Sequence, residues 1–148
     1  FADRYSLCVI ETKKVEKLNS KQLNQLVKKF YNDTYLVDQN ACSSPHLILW
    51  LGNNIKNVRK KFWLNLFKIV KEKYDISSDA VMDKYSKLCR DIIQQKNMKR
   101  QEKYENLINT VYLSDLHKNI HELRGKWGYF YECKIENLNQ ITKYINRT

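Results

Sequence analysis

The feature that most constrains the fold is a short apolar run, Leu47–Leu51, which follows Pro45 and ends at Gly52. Its apolar residues are consecutive rather than alternating with polar ones, a pattern typical of a strand that is covered on both faces. Such strands belong to α/β sheets, in which chemistry gathers in the loops at strand ends. Cys42 lies in the polar loop just before the run. The sequence therefore predicts a thiol at the mouth of a buried strand.

Cys42 is the candidate nucleophile, and its neighbours support that interpretation. Ser43 and Ser44 make the loop polar. Because Pro45 has no N–H, the backbone amides that can hold an oxyanion are those of Cys42, Ser43 and Ser44, of which we assign Cys42 and Ser43. The alternative is an inert cysteine that packs as a small apolar residue, as most lone cysteines do.

The order of strands and helices around this loop indicates an α/β protein. The patterns predict strands over Arg4–Ile10, Leu47–Leu51, Thr110–Leu113 and Tyr129–Ile135, and helices over Asn19–Tyr31, about 53–74, from 78 onward and Asn137–Asn146. We expect a mainly parallel open sheet with helices on both faces.

The helix that begins near residue 78 has an apolar stripe that predicts its packed face. The stripe consists of Val81, Met82, Tyr85, Leu88, Cys89, Ile92 and Ile93. The following segment, 94–104, is almost entirely polar, and we expect it to continue the helix in solvent.

The length of 148 residues fits one domain, residues 1–148, with a real core. The net charge of +11 suggests an anionic partner, but the basic residues are dispersed along helical faces, so no specific nucleic-acid site is predicted. A basic module that binds nucleic acid or an acidic protein stays open as an alternative. No apolar run approaches the roughly 18 residues of a membrane span.

The four cysteines contain no Cys-x-x-Cys pair, which favours reduced thiols in a cytoplasmic protein. His117 and His121 are one helical turn apart, yet a metal site needs three or four donors, so none is predicted. Three glycines in total leave no Gly-rich loop for phosphate.

The segment Ala-Cys-Ser-Ser-Pro-His at residues 41–46, followed by an apolar strand and a long helix, resembles the nucleophile segment of the aldehyde dehydrogenase superfamily. It is most similar to that of the LuxC-type fatty acyl reductases of bacterial bioluminescence. Downstream, Glu122-Leu123-Arg124-Gly125 is similar to the superfamily's Glu-aliphatic-x-Gly segment, although the usual proline after the glycine is Lys126 here. The resemblance implies that Glu122 contacts the ribose of a nicotinamide cofactor.

The resemblance also implies a reaction, in which Cys42 accepts a fatty acyl group as a thioester and NADPH reduces it to an aldehyde. An ordinary NAD(P)-dependent aldehyde dehydrogenase is the alternative. The implied partners are an acyl-protein synthetase and an acyl transferase of a fatty acid reductase complex, and the full-length protein is expected to be a homo-oligomer. We expect the dinucleotide-binding domain to precede Phe1, because the chain reads as a piece of a larger protein.

Overall fold

The computed structural model describes residues 4–116 and 119–145. These residues form five strands: β1 (Leu7–Glu11), β2 (Leu47–Leu51), β3 (Met98–Tyr104), β4 (Ile108–Leu113) and β5 (Tyr129–Ile135). They also form five α-helices: α1 (Thr12–Glu16), α2 (Ser20–Thr34), α3 (Ile55–Lys73), α4 (Ser78–Gln94) and α5 (Asn139–Ile145). Single 3₁₀ turns lie at Tyr35–Val37 and Ile120–Glu122.

The strands make one sheet in the order β1-β2-β5-β4-β3. β1, β2, β5 and β4 are parallel neighbours, and β3 pairs antiparallel with β4 at the edge. The strand β2 lies between β1 and β5, and its residues Leu47, Ile48, Leu49 and Trp50 are fully buried. The predicted strand covered on both faces is therefore confirmed.

Helices cover both faces of the sheet, as the sequence predicted. On one face Ile48, Trp50 and Phe130 pack with α2 and α3. On the other face Leu49 and Tyr131 pack with residues of α4, α5 and the second 3₁₀ turn. No helix within the described residues is long and apolar enough to cross a membrane.

The start of α2 shows why local sequence predicted this helix well. The Asn19 side chain accepts a hydrogen bond from the Gln22 amide at 2.9 Å, and the Gln22 side chain accepts one from the Asn19 amide at 3.0 Å. This reciprocal capping box satisfies two amide donors that would otherwise lack partners at the helix end.

The prediction for residues 94–104 was wrong, because most of this segment is the edge strand β3 rather than a helical extension. Its polar composition suits an edge strand, where charged side chains oppose pairing with other chains. Glu102 of β3 lies 3.5 Å from Arg59 of α3, so one side of the strand faces a buried charge.

The predicted packed face of α4 was also largely wrong. Leu88 does pack against the sheet, but Met82, Tyr85, Ile92 and Ile93 are exposed, with Ile93 81% accessible. The buried residues of this helix are instead Ala80, Lys84 and Asp91. The polar groups of Lys84 and Asp91 bond to carbonyls and tyrosine hydroxyls of the neighbouring elements, and these bonds offset the cost of burying them.

A buried carboxylate organises the opposite face of the sheet. Glu132 of β5 is fully buried and accepts hydrogen bonds from Trp50 Nε1 at 2.6 Å and Trp63 Nε1 at 3.0 Å. Arg59 adds two more, from Nε at 2.7 Å and Nη2 at 2.5 Å. Burial disfavours the Arg59 charge, but Glu132 outweighs it and holds the pKa of Arg59 above its ordinary value.

Candidate active site

The loop that carries Cys42 is held in place by one buried amide side chain. Gln39, 1% exposed, donates from Nε2 to the carbonyl oxygens of Pro45 at 3.1 Å and Tyr129 at 3.0 Å. Its Oε1 accepts from the amides of Gly128 and Tyr129, both at 3.2 Å. Gln39 thus ties the loop before β2 to the loop before β5, although Gln39 and Tyr129 are 90 residues apart in sequence.

Two serine hydroxyls fix the backbone on either side of the thiol. Ser6 donates to the Cys42 carbonyl, and Ser44 donates to the Asp33 carbonyl, both at 2.6 Å. The Ser44 amide donates to the Ala41 carbonyl at 2.9 Å and is not available to a substrate. The Cys42 and Ser43 amides, which the sequence assigned to an oxyanion, have no backbone acceptor within residues 4–116 and 119–145. Their role stays a prediction.

The environments of the four cysteines differ. Cys42 is exposed, Cys133 is buried, and Cys8 and Cys89 are half-buried. Burial, with a smaller contribution from Asp33, raises the pKa of Cys8 to about 11. Burial and Asp115 raise the pKa of Cys133 to about 11, with a smaller opposing contribution from the Lys134 backbone. Cys8 and Cys133 are therefore protonated at neutral pH, as expected of structural thiols.

Cys42 lies at a cleft of about 510 Å³ that is strongly basic. Six of its described lining residues carry a positive charge or a basic amine, namely Arg4, Lys84, Lys87, Arg90, Arg124 and Lys126. Asp83 is the acidic residue of this lining. A cleft with one sign of charge concentrates ligands of the opposite sign, so this arrangement favours an anionic ligand.

Sequence reasoning missed this concentration of charge. The sequence analysis interpreted the lysines and arginines as residues dispersed over the surface. The fold instead brings together basic residues from the start of the chain, from α4 and from the loop before β5. A partial signal was present, because Lys84, Lys87 and Arg90 recur every three residues and so fall along one side of a helix.

Beside the cleft, two tyrosines share the buried carboxylate of Asp91. Tyr129 and Tyr131 donate to Asp91 Oδ2 at 2.7 and 2.5 Å, and Lys87 lies 3.2 Å from Oδ1. Burial and the neighbouring Asp91 raise the pKa of both tyrosines, which are therefore neutral donors. This network holds α4 against the sheet beside the cleft.

His46 also lines the cleft, and no role for it was predicted from the sequence. Its ring stacks on Tyr5 with centroids 5.7 Å apart, and its Nδ1 lies 3.0 Å from the Gly125 carbonyl oxygen. Burial and the Arg124 charge lower its pKa, with partial compensation from that carbonyl. The imidazole is therefore neutral at neutral pH.

The predicted cofactor residue lies outside the cleft lining. Glu122 is exposed in the second 3₁₀ turn and accepts from Asn119 Nδ2 at 3.1 Å. Its contact with a ribose stays a prediction. His121 is exposed, and His117 lies outside the described residues. Among the described residues, no group of three potential ligands is placed to hold a metal ion.

Comparison with solved structures extends these observations. A betaine aldehyde dehydrogenase from Staphylococcus aureus, in complex with NAD+, superposes on 95% of this chain and 30% of its own with a TM-score of 0.51 and 14% identity. A second structure of the betaine aldehyde dehydrogenase of that organism, also at 14% identity, gives 0.51 over 96% of this chain and 31% of its own. The chain has the fold of an aldehyde dehydrogenase catalytic domain.

This chain spans about 30% of the length of these structural neighbours. An NAD-dependent benzaldehyde dehydrogenase from Corynebacterium glutamicum is also similar, at 11% identity and a TM-score of 0.49, over 97% of this chain and 32% of its own. No protein-family model matches the chain, and no curated protein sequence matches it. The predicted aldehyde dehydrogenase fold is thus confirmed, and the LuxC-type subclass stays a prediction.

Proposed function

We propose that this chain is the nucleophile-bearing part of a nicotinamide-dependent aldehyde oxidoreductase. The observation that carries the proposal is the position of Cys42, which is exposed at a basic cleft of an aldehyde dehydrogenase fold. A cysteine thiolate is a strong nucleophile, and an acyl-cysteine thioester splits a difficult acyl reduction or aldehyde oxidation into two easier steps.

Residues of this chain perform the acyl-transfer half of the reaction. The Cys42 sulfur attacks the acyl carbon, and the leaving thiol departs with the electron pair of the broken bond. The Cys42 and Ser43 amides hold the oxyanion that forms in this attack. Their orientation is maintained by Ser6, which binds the Cys42 carbonyl, and by Gln39, which fixes the base of the loop.

The cofactor supplies the hydride chemistry when bound. Glu122 suits a contact with a ribose hydroxyl, since it is an exposed carboxylate that Asn119 holds through one oxygen. A dinucleotide's phosphates are typically held by a glycine-rich turn at a helix N-terminus, and of the three glycines of this chain only Gly52 precedes a helix, α3. The dinucleotide-binding domain of the proposed enzyme therefore lies outside residues 1–148.

At a finer level we propose reduction of a fatty acyl thioester with NADPH, as in LuxC-type reductases. The segment at residues 41–46 supports this subclass, and the positively charged residues of the cleft suit a donor that carries phosphate. Acyl-protein synthetase and acyl transferase subunits, a homo-oligomeric full-length protein and a cytoplasmic location belong to the same proposal. Oxidation of a free aldehyde is the second candidate, and the names of the structural neighbours favour it.

The test is acylation of the 148-residue chain by a fatty acyl-CoA, followed by intact mass and peptide mapping. We expect one acyl group on Cys42 that hydroxylamine removes, because hydroxylamine cleaves thioesters and spares amides. Cys42→Ala should abolish this label, and Cys89→Ala, which changes a half-buried thiol, should keep it.

Each outcome decides between the candidates. Equal thioester labelling of the Cys42→Ala variant would refute the nucleophile assignment. No acylation, with Cys42 still alkylated readily by iodoacetamide, would reject the thioester donor and favour oxidation of a free aldehyde.

A further inference from the structure

Lys84 is a second chemically unusual group in the cleft, and neither the acyl transfer nor the cofactor contact uses it. It lies on the sheet-facing side of α4 and is 4% exposed, whereas lysine is rarely buried without a charged partner. Its Nζ donates to the carbonyl oxygens of Asn106 and Trp127, both at 2.8 Å. Within the described residues it forms no salt bridge, unlike Lys87 one turn later, which pairs with Asp91.

The hydrogen-bond partners of Lys84 match a neutral amine. An ammonium group has three N–H donors, and two acceptors are present. A neutral amine has two N–H donors, which these carbonyls satisfy, and a lone pair that needs no acceptor. Burial, with a smaller contribution from Lys103, lowers the pKa of Lys84 to about 7. A large fraction of the group is therefore unprotonated at neutral pH.

The surroundings of Lys84 determine which reactants can reach it. Lys87 and Arg90 of the same helix and Lys126 of the loop before β5 line the same cleft, with Asp83 as the nearby acid. Lys103 of β3 adds a further positive charge. These cations disfavour a charged Lys84 and attract anions, so an anionic reactant meets a neutral amine.

We propose that Lys84 is a covalent capture site for anionic aldehydes, at which its Nζ forms an imine with the carbonyl carbon. The nitrogen lone pair attacks that carbon, and one amine hydrogen moves to the carbonyl oxygen to give a carbinolamine. The carbinolamine then loses its hydroxyl group and its remaining N–H hydrogen as water. The product R–N=CH–R′ and one water balance the amine and the aldehyde. The neutral imine has no N–H, but uptake of one proton from solvent water gives R–NH⁺=CH–R′, which donates to one of the two carbonyls, so capture gives up one hydrogen bond. This site is distinct from Cys42 and does not depend on the proposed function.

Pyridoxal 5′-phosphate is a suitable probe, because it carries an aldehyde and a phosphate on one small molecule. The 148-residue chain is incubated with it at about pH 7.5, reduced with borohydride and mapped by peptide mass spectrometry. An exposed lysine with a pKa of about 10.4 is only ~0.1% neutral at this pH. We expect Lys84 to be labelled at least about tenfold faster than Lys60, which is exposed on α3 at the opposite face of the sheet.

Further measurements separate capture at Lys84 from general labelling of surface lysines. The rate at Lys84 should reach half its maximum near pH 7, and that at Lys60 should rise up to about pH 10. Inorganic pyrophosphate, and Lys87→Gln, should slow labelling of Lys84 because both weaken attraction of the phosphate. Lys84→Arg should lose the label while keeping its circular dichroism spectrum, and Cys42→Ala should keep the label.

Labelling of Lys84 no faster than Lys60, or a rate at Lys84 that rises only near pH 10, would overturn the proposal. Loss of the Lys84 label in Cys42→Ala would also contradict it, because the two sites would then not be independent. Failure of acyl-CoA to acylate Cys42 leaves the capture experiment unaffected, so the two proposals fail separately.

Discussion

Replacing Glu132 by glutamine should destabilise the fold more than any other single change of charge in the described chain that keeps side-chain shape. Glu132 is fully buried and accepts four hydrogen bonds, two from Arg59 and one each from Trp50 and Trp63. Glutamine removes the negative charge and turns one acceptor oxygen into an amide donor. Arg59, with 3% of its side chain exposed, is then left charged with only Glu102, at 3.5 Å, as a carboxylate partner among the described residues.

The expected decrease in the free energy of unfolding follows from the burial of this ion pair. Removing one partner of a buried ion pair costs about 3–5 kcal/mol, since the other charge stays in a site of low polarity. This is a large part of the roughly 5–15 kcal/mol that stabilises a typical domain. With a urea dependence of about 2 kcal/mol per molar, the unfolding midpoint should fall by about 1.5–2.5 M.

Urea unfolding followed by tryptophan fluorescence and circular dichroism measures this change. The matched control is Glu105→Gln, which removes an exposed carboxylate paired with Lys71. Such surface pairs contribute about 0–1 kcal/mol, so the control should barely shift the midpoint. Adding Arg59→Met to Glu132→Gln should recover at least about 1 kcal/mol, because the unpaired charge is removed.

Two results would refute the reasoning. One is a loss below about 1 kcal/mol for Glu132→Gln, equal to the exposed control. The other is a double variant that is no more stable than Glu132→Gln, because the cost would then not come from the stranded Arg59 charge.

Three other expectations are open to direct measurement. Under native conditions iodoacetamide should alkylate Cys42 far faster than Cys8 or Cys133, whose pKa values burial raises to about 11; comparable rates in peptide mapping would contradict this. Through Lys84, the free energy of unfolding should rise by up to about 1.4 kcal/mol per pH unit between about pH 7 and 10. In this window the lysine of the unfolded chain is protonated, whereas that of the folded chain, with a pKa of about 7, has lost its proton. Lys84→Met should flatten that rise, and an unchanged slope in urea titrations would disprove the assignment. Binding to DNA or RNA should be weak, without sequence preference and strongly dependent on salt; tight, sequence-specific binding at physiological salt would favour a nucleic-acid module.

Local sequence patterns were sufficient to predict β2 and the start of α2. The apolar run at residues 47–51 became the buried strand β2, and the Asn19–Gln22 capping pair became the start of α2. Both depend on neighbours within four residues, so their signals are complete in the sequence itself. The position of Cys42 in the loop before β2 follows from the same local pattern.

Composition misled for two segments that contain many polar residues, β3 and α4. β3 is polar because it is an edge strand, and α4 buries Lys84 and Asp91 while Ile93 stays exposed. An amphipathic stripe predicts the packed face only when apolar contacts dominate it. Here hydrogen bonds to distant carbonyls and tyrosines decide the orientation of the helix.

The sequence by itself determined the class of fold, the buried strand β2 and the thiol in the loop before it. The tertiary structure alone decided which charges meet. Glu132 and Arg59 are 73 residues apart, and the lysines and arginines of the cleft come from separate parts of the chain. Electrostatic energy depends on distance and burial, and neither can be read from spacing along a strand or helix.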